Sequence, residues 1–502
     1  MRLTHFPRAA LLTVVTLSGC AKDSSDDGSD DTSTPVVVDD DTDTDTDTDS
    51  DTDTDTDSDT DTDTDADVYE FESAVTGGSS VKNTGQIMRQ VLVDDMASEL
   101  QLIDDMVQNY EIGIEPGQVT SRLEFYFDFD GDTSGGVAIL QTFDAEAEQT
   151  TYGEISTKNL VDKIAGNDSA TDHKDWSTEF EGWGAKGSTT PEGLVRTWFD
   201  MIDAQAVAWV AADIPLDPRG NPVASVYVTP QGHDLRRLLG TFLRGAINFS
   251  QGADDYMDDD TAGKGLLASH EFTDSAYTRL EHVWDEGFGY FGGARNYGDW
   301  SDDDIASIGH LDVDGNGTIN LFTEVNWGHS VNAANRDRGA NIATDFTQQA
   351  WDGFLGGRKL LHDTVGTALT AMELHKLLEF RDHAIGGWEN GMAATAIHHI
   401  NYIIQEMNVM DTADYSFANH AKHWGELKGV ALSLQFNPNS PLSDDHFTTV
   451  HGLIRDAPII EFATSDERAL YIEDLIKVRG ILGDAYGFEP DNLGDENGEN
   501  GW

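Results

Sequence analysis

The stretch QIMRQVLVDDMASELQLIDDMV, Gln86–Val107, places Ile87, Val91, Leu92, Met96, Leu100 and Ile103 at successive steps of four, one, four, four and three residues. Apolar residues with that period share one stripe of an α-helix, and the stripe must be buried against other elements. The same periodicity recurs in Leu194–Val210, Leu235–Tyr256, Tyr277–Phe291, Phe346–Leu361, Thr367–His383, Ala393–Met407, Phe417–Leu434, His446–Arg455 and Glu467–Tyr486. Against these, Arg122–Asp128 (RLEFYFD) alternates as a strand does, and Ala224–Thr229 could lie beside it. The expected fold is therefore mostly α: a large helical bundle, built as one body or as two packed helical halves, with a minor β element. Residues 292–344 are polar and rich in glycine. So long a loop inside a compact domain is usually functional or held by an ion.

Within it stands HLDVDGNGTINLFTE, His310–Glu324. Calcium takes six to eight oxygens, and twelve-residue loops of the EF-hand type offer them from alternate positions. Asp312, Asp314 and Asn316 fill positions one, three and five, Thr318 can give its carbonyl, and Asn320 sits where a bridging water is usually held. Gly317 occupies the sharp turn, and Ile319 can anchor the loop to a core. The twelfth position is Thr323, not a carboxylate. Glu324 follows one residue late, so it completes a Ca2+ site only if the chain leaves the usual path after Asn320. Without an ion, the same residues make an Asx-rich turn.

The N-terminus indicates where such an ion would be met. MRLTHFPRAALLTVVTLSGC has Arg2 and Arg8, an apolar run from Ala9 to Leu17, and then Leu-Ser-Gly-Cys. It reads as a secretory signal over 1–19, too short in its apolar core to span a membrane, with Cys20 placed for lipidation. Cys20 is the single cysteine of 502 residues, so no internal disulfide can form. Residues 20–67 continue as an acidic tether, almost pure Asp-Thr and Asp-Ser repeat from Asp39 to Asp67, which repels itself and buries nothing. The expectation is a cell-envelope protein anchored to the inner or outer membrane by lipid, with a helical domain over 68–490 and an acidic tail over 491–502.

The formal net charge is −63. Residues 21–67 carry 21 Asp and one Lys, net −20, and Arg2 and Arg8 give +2, which leaves −45 on residues 68–502. Nucleic acid and anionic lipid both demand the opposite sign and are excluded as partners. A cation-binding protein and an acidic surface adapted to salt are both compatible with that charge. No Gly-x-Ser-x-Gly, P-loop, His-Glu-x-x-His or Cys-x-x-Cys occurs.

Two His/acid groups stand at helical spacing: His282 with Asp285 and Glu286, and His423 with Glu426. Bundle metal sites collect such pairs from several helices, so both groups meeting around one Fe or Zn ion is a candidate arrangement. Each group also reads as ordinary interhelical hydrogen bonding. His398 and His399, in an apolar helix, read as structural histidines, and His375 with Glu379 as a helix-surface pair.

The strings VYEFE, NTGQIMRQVLVDDM, YGEISTKNLVDKIAGND, LEHVWDEGFGYFGG, the DVDGNGTINLFTE loop with NAANRDRG after it, and HAKHWGELKGVALSLQFNP follow one another between residues 68 and about 490. Together they resemble the domain-of-unknown-function 4856 family of bacterial exported lipoproteins. That resemblance implies an exported, anchored protein and no particular reaction. More distantly, a helical lipoprotein with His-x-x-Glu pairs is similar to imelysins, although neither pair here has the imelysin-type glycine two residues before its histidine. Taken together, these readings lead to an envelope-anchored, calcium-stabilised and non-catalytic binding protein, with an unknown ligand, in metal or iron-compound acquisition. The alternatives are a metal-dependent hydrolase built on the His/acid pairs and a surface interaction protein whose calcium is purely structural.

Overall fold

The computed structural model describes residues 68–109, 112–167 and 172–502; the signal segment, Cys20 and the tether lie outside the described residues. The described chain is mostly helical. Its longer helices are α1 (Thr84–Gln108), α2 (Gln118–Phe127), α3 (Pro191–Val210), α4 (Leu235–Leu243), α5 (Arg279–Phe291), α6 (Asp302–Ser307), α7 (Gly328–Gly339), α8 (Phe346–Thr364), α9 (Ala371–Asn408), α10 (Phe417–Ser433), α11 (Asp444–Ile454) and α12 (Ser465–Tyr486). Two two-residue strands, β1 (Glu146–Ala147) and β2 (Thr318–Ile319), pair in parallel. No described helix is long and apolar enough to cross a membrane.

The spine is α9. At 38 residues it runs about 57 Å at the usual rise per residue, with α7, α8, α10 and α12 packed along it. The sequence suggests two helices here, interrupted by the glycines of AIGGWENGM. The chain instead runs through as one, because those glycines let helices touch. A Cβ on Gly387 would come 2.6 Å from the Ala350 nitrogen and 2.8 Å from the Phe346 carbonyl of α8. Close backbone approach here outweighs glycine's cost of roughly 0.5–1 kcal/mol in a helix. Leu235–Tyr256 is likewise one continuous helical run, which turns π-helical over Arg244–Phe249 and Gln251–Tyr256.

Three expectations need correction. RLEFYFD is helical, in α2, where Val119, Leu123, Tyr126 and Phe127 form the buried face. Ala224–Thr229 is a turn closed by a bridge between Val228 and Asp234. The segment 292–344 is not one loop, since α6 and α7 lie within it. The last twelve residues, set apart by composition, pack on the body. Asn492 is fully buried and bonds both the nitrogen (2.7 Å) and the carbonyl (2.8 Å) of Ile342, and the Trp502 indole donates to the Arg336 carbonyl at 2.9 Å. An aromatic end group with satisfied amides outweighs the local charge.

Candidate metal centres

The loop 312–324 is held at its middle by β2. Ile319 is buried, and its carbonyl accepts from the Glu148 nitrogen at 2.9 Å, just past β1. Gly315 and Gly317 have φ of +72° and +87°, the left-handed conformation that favours glycine. Asp312 accepts from Gly317 N–H (2.9 Å) and Asp314 from Asn316 N–H (2.9 Å). After Asn320 the chain makes one helical turn, with Glu324 N–H donating to the Asn320 carbonyl at 2.9 Å. That turn brings the late carboxylate in. Glu324, itself buried, accepts from Val313 N–H (2.8 Å) and Asn320 N–H (2.8 Å). Asp312, Asp314 and Glu324 each place a carboxylate oxygen within 4.8 Å of the others.

Asn316, Thr318 and Asn320 instead turn their side-chain donors to one acid outside the loop, Glu148, at 3.0, 3.0 and 2.6 Å. Sequence reasoning missed Glu148. Its only signal is the acidic DAEAEQ, which carries no ligand spacing.

The two His/acid groups do not come together. On α5, Asp285 accepts from Arg358 Nε (2.8 Å) and Tyr69 OH (2.9 Å), while Arg358 also donates to Glu281 at 2.8 Å. Burial pushes the Asp285 carboxyl up against the pull of Arg358. Glu286 accepts from Gln86 at 3.0 Å and lies 3.7 Å from His282, whose ring stacks on Tyr277. These groups tie α5 to α1, α8 and the N-terminal residues. His423 and Glu426, on α10, face α9 and α4 instead.

What joins them there is His399. Its Nδ1 lies 3.2 Å from Nδ1 of His423 and 3.5 Å from Glu426, and His423 lies 3.9 Å from the same Glu426 oxygen. The other Glu426 oxygen meets Arg237 of α4 at 3.2 Å, and Tyr402 stacks flat on His423 with ring centroids 4.4 Å apart. Burial holds both imidazoles far toward the neutral form, His423 down to about 4 with help from Lys422 and Arg237. Burial raises the Glu426 carboxyl, and Arg237 opposes that. Two cavities lie nearby, one reached through Arg237 and the other lined by His423 itself. One, of about 430 Å³, is walled by Arg237, Asn332 and Thr395; the other, of about 490 Å³, by Tyr402, Glu406 and His423. The His423–Glu426 pair was legible from spacing. His399 was not, because a histidine in an apolar helix reads as a satisfied core residue.

A family described as a domain of unknown function (DUF4856) matches residues 67–302. That stretch belongs to the DUF4856 family. The matched segment runs from the residues before α1 to the start of α6 and so contains His282, Asp285 and Glu286. The loop 312–324 and the group on α9 and α10 lie beyond it. No curated protein and no solved structure matches the chain.

Proposed function

We propose that this chain is an envelope-anchored, non-catalytic binding protein whose helical body is clipped by a calcium ion at the loop 312–324. The observation that carries the reading is the inward swing of Glu324, which supplies beside Asp312 and Asp314 the carboxylate that the twelfth position lacks. Three carboxylates so close repel one another in the absence of a cation, and calcium tolerates the irregular oxygen shell that such a loop offers. Magnesium demands a tight octahedron and should substitute poorly. The tether, the single Cys20 and the acidic body support placement at the envelope.

The test is calcium titration of the purified full chain by calorimetry, with thermal unfolding in parallel. One ion per chain and a melting temperature that rises with calcium are expected; a curve indifferent to calcium would reduce the loop to an Asx-rich turn. For the anchor, Cys20→Ser should release the protein from the membrane fraction. Incorporation of labelled fatty acid into that variant would overturn it.

A further inference from the structure

We propose that His399, His423 and Glu426 bind a divalent first-row cation of the zinc class, with an anionic oxygen ligand completing the coordination. The inference goes beyond the calcium reading and holds whether or not the loop 312–324 takes an ion.

The donor set is the first argument. Two imidazole nitrogens and one carboxylate oxygen suit zinc, and three protein ligands leave the fourth tetrahedral position open. Geometry is the second. Ligands at about 2.0–2.1 Å from a tetrahedral ion stand roughly 3.3–3.4 Å from one another. The three separations here are 3.2, 3.5 and 3.9 Å, so shifts of a few tenths of an ångström would close the site. The two Nδ1 atoms lie against one another, and each offers a lone pair to an ion once the neutral ring carries its proton on Nε2.

The surroundings fix the ligands. Arg237 holds the remaining Glu426 oxygen, and Tyr402 sets the plane of the His423 ring. Such outer contacts orient metal ligands in known sites. His423 also lines the second cavity, where Glu406 and Glu499 give a cation a negative approach.

Charge then decides the fourth ligand. Arg336 of α7 is buried, and its Nε and Nη1 have no hydrogen-bond partner among the described residues. It lies near enough for its charge to bear on Glu426, His398 and His399. A buried guanidinium with two unpaired nitrogens is costly. With Arg237 bonded to Glu426 and the charge of Arg336 close by, a bare divalent ion would leave uncompensated positive charge. An anionic oxygen on the metal answers both Arg336 and the ion.

The test uses the full chain stripped of metal and reloaded with zinc or cobalt(II). We expect one zinc per chain beyond any calcium, retained in Asp312→Ala and lost in His423→Ala and in Glu426→Gln. X-ray absorption at the zinc edge of the unaltered protein reads the ligands without relying on a variant's folding. Two imidazoles are expected, and a shell of oxygen alone would overturn the site. The cobalt protein should show the strong visible absorption of a four-coordinate ion, and acetate should shift it in the unaltered protein but not in Arg336→Met. Absence of the shift would overturn the anionic ligand. Zinc content unchanged in both His399→Ala and His423→Ala would overturn the whole proposal.

Discussion

Arg358 and Asp285 meet with both side chains wholly out of water, the Nε of one donating to the Oδ1 of the other at 2.8 Å. The guanidinium also bonds Glu281 and the Ser80 hydroxyl and lies over the ring of Phe71. One cation thus ties α8 to α5 and to the residues that precede α1. It answers Glu281 and also Asp285, which the sequence offers as a metal ligand or as an interhelical contact. Asp285 here makes the interhelical contact.

Arg358→Met keeps most of the side-chain volume and strands Asp285 and Glu281. Breaking a buried pair from one side typically costs about 3–5 kcal/mol, because the remaining charge stays uncompensated. Urea unfolding at pH 7 should show a loss of that size. The double variant Arg358→Met, Asp285→Asn should recover part of it. A loss under about 1 kcal/mol in the single variant would mean that water reaches the carboxylates.

Gly387→Ala sets two effects against each other. Helix propensity favours alanine by roughly 0.5–1 kcal/mol. The new Cβ, 2.6 Å from the Ala350 nitrogen, must push α8 away from α9, and overpacking of this kind costs about 1–3 kcal/mol. Steric conflict with backbone should win, so the variant should melt below the parent. Gly452→Ala, where a Cβ meets nothing within 4 Å, should melt at or above it.

How much of this was legible follows from where each signal lies. The helices with strong apolar stripes were readable within a few residues. RLEFYFD misled because its buried face begins at Val119, outside the alternating window, and the alternation of Leu123, Phe125 and Phe127 hides the helical set Leu123, Tyr126 and Phe127. The helix α7, GHSVNAANRDRG, is too polar to announce itself; it is buried through Ala333, Ala334 and His329 by neighbours far off in the chain. The clustering of Asp312 and Asp314 was readable because their spacing is local. The His/Glu group on α9 and α10 was only half readable, because what brings His399 to His423 is the crossing of two helices, and no spacing encodes that.

His329 gives a pH dependence. Its Nε2 donates to the Arg244 carbonyl at 3.1 Å, and burial drives its pKa down to about 3. The folded state therefore holds this ring neutral while the unfolded chain takes up a proton near pH 6.5. The stability tied to it is whole above pH 6.5 and is lost as the pH falls from there toward about 3. Over the two units down to pH 4.5 the loss is at most about 3 kcal/mol. Unfolding free energies of the parent and His329→Gln should converge across that window. Parallel curves would show that His329 titrates alike in both states.

Glu324 and Asp312 should fail in different ways. Glu324 accepts from the nitrogens of Val313, Asp314 and Asn320, so it braces the loop backbone as well as facing the ion site. Asp312 is exposed and accepts one bond, from Gly317. A ligand bound only by the folded state stabilises it by RT ln(1 + [L]/Kd), about 2.7 kcal/mol at a hundredfold excess. Asp312→Ala should match the parent in chelator, fall behind it in millimolar calcium, and gain nothing from added calcium. Glu324→Ala should be less stable than the parent even in chelator, since three backbone donors lose their acceptor and each such loss costs about 1–3 kcal/mol where it is buried. Thermal unfolding of the three proteins with and without calcium separates the roles. Limited proteolysis should cut first within 312–324 in chelated parent and in Asp312→Ala under both conditions. A chelated parent as resistant there as the calcium-loaded one would mean that the Glu324 bonds alone hold the loop.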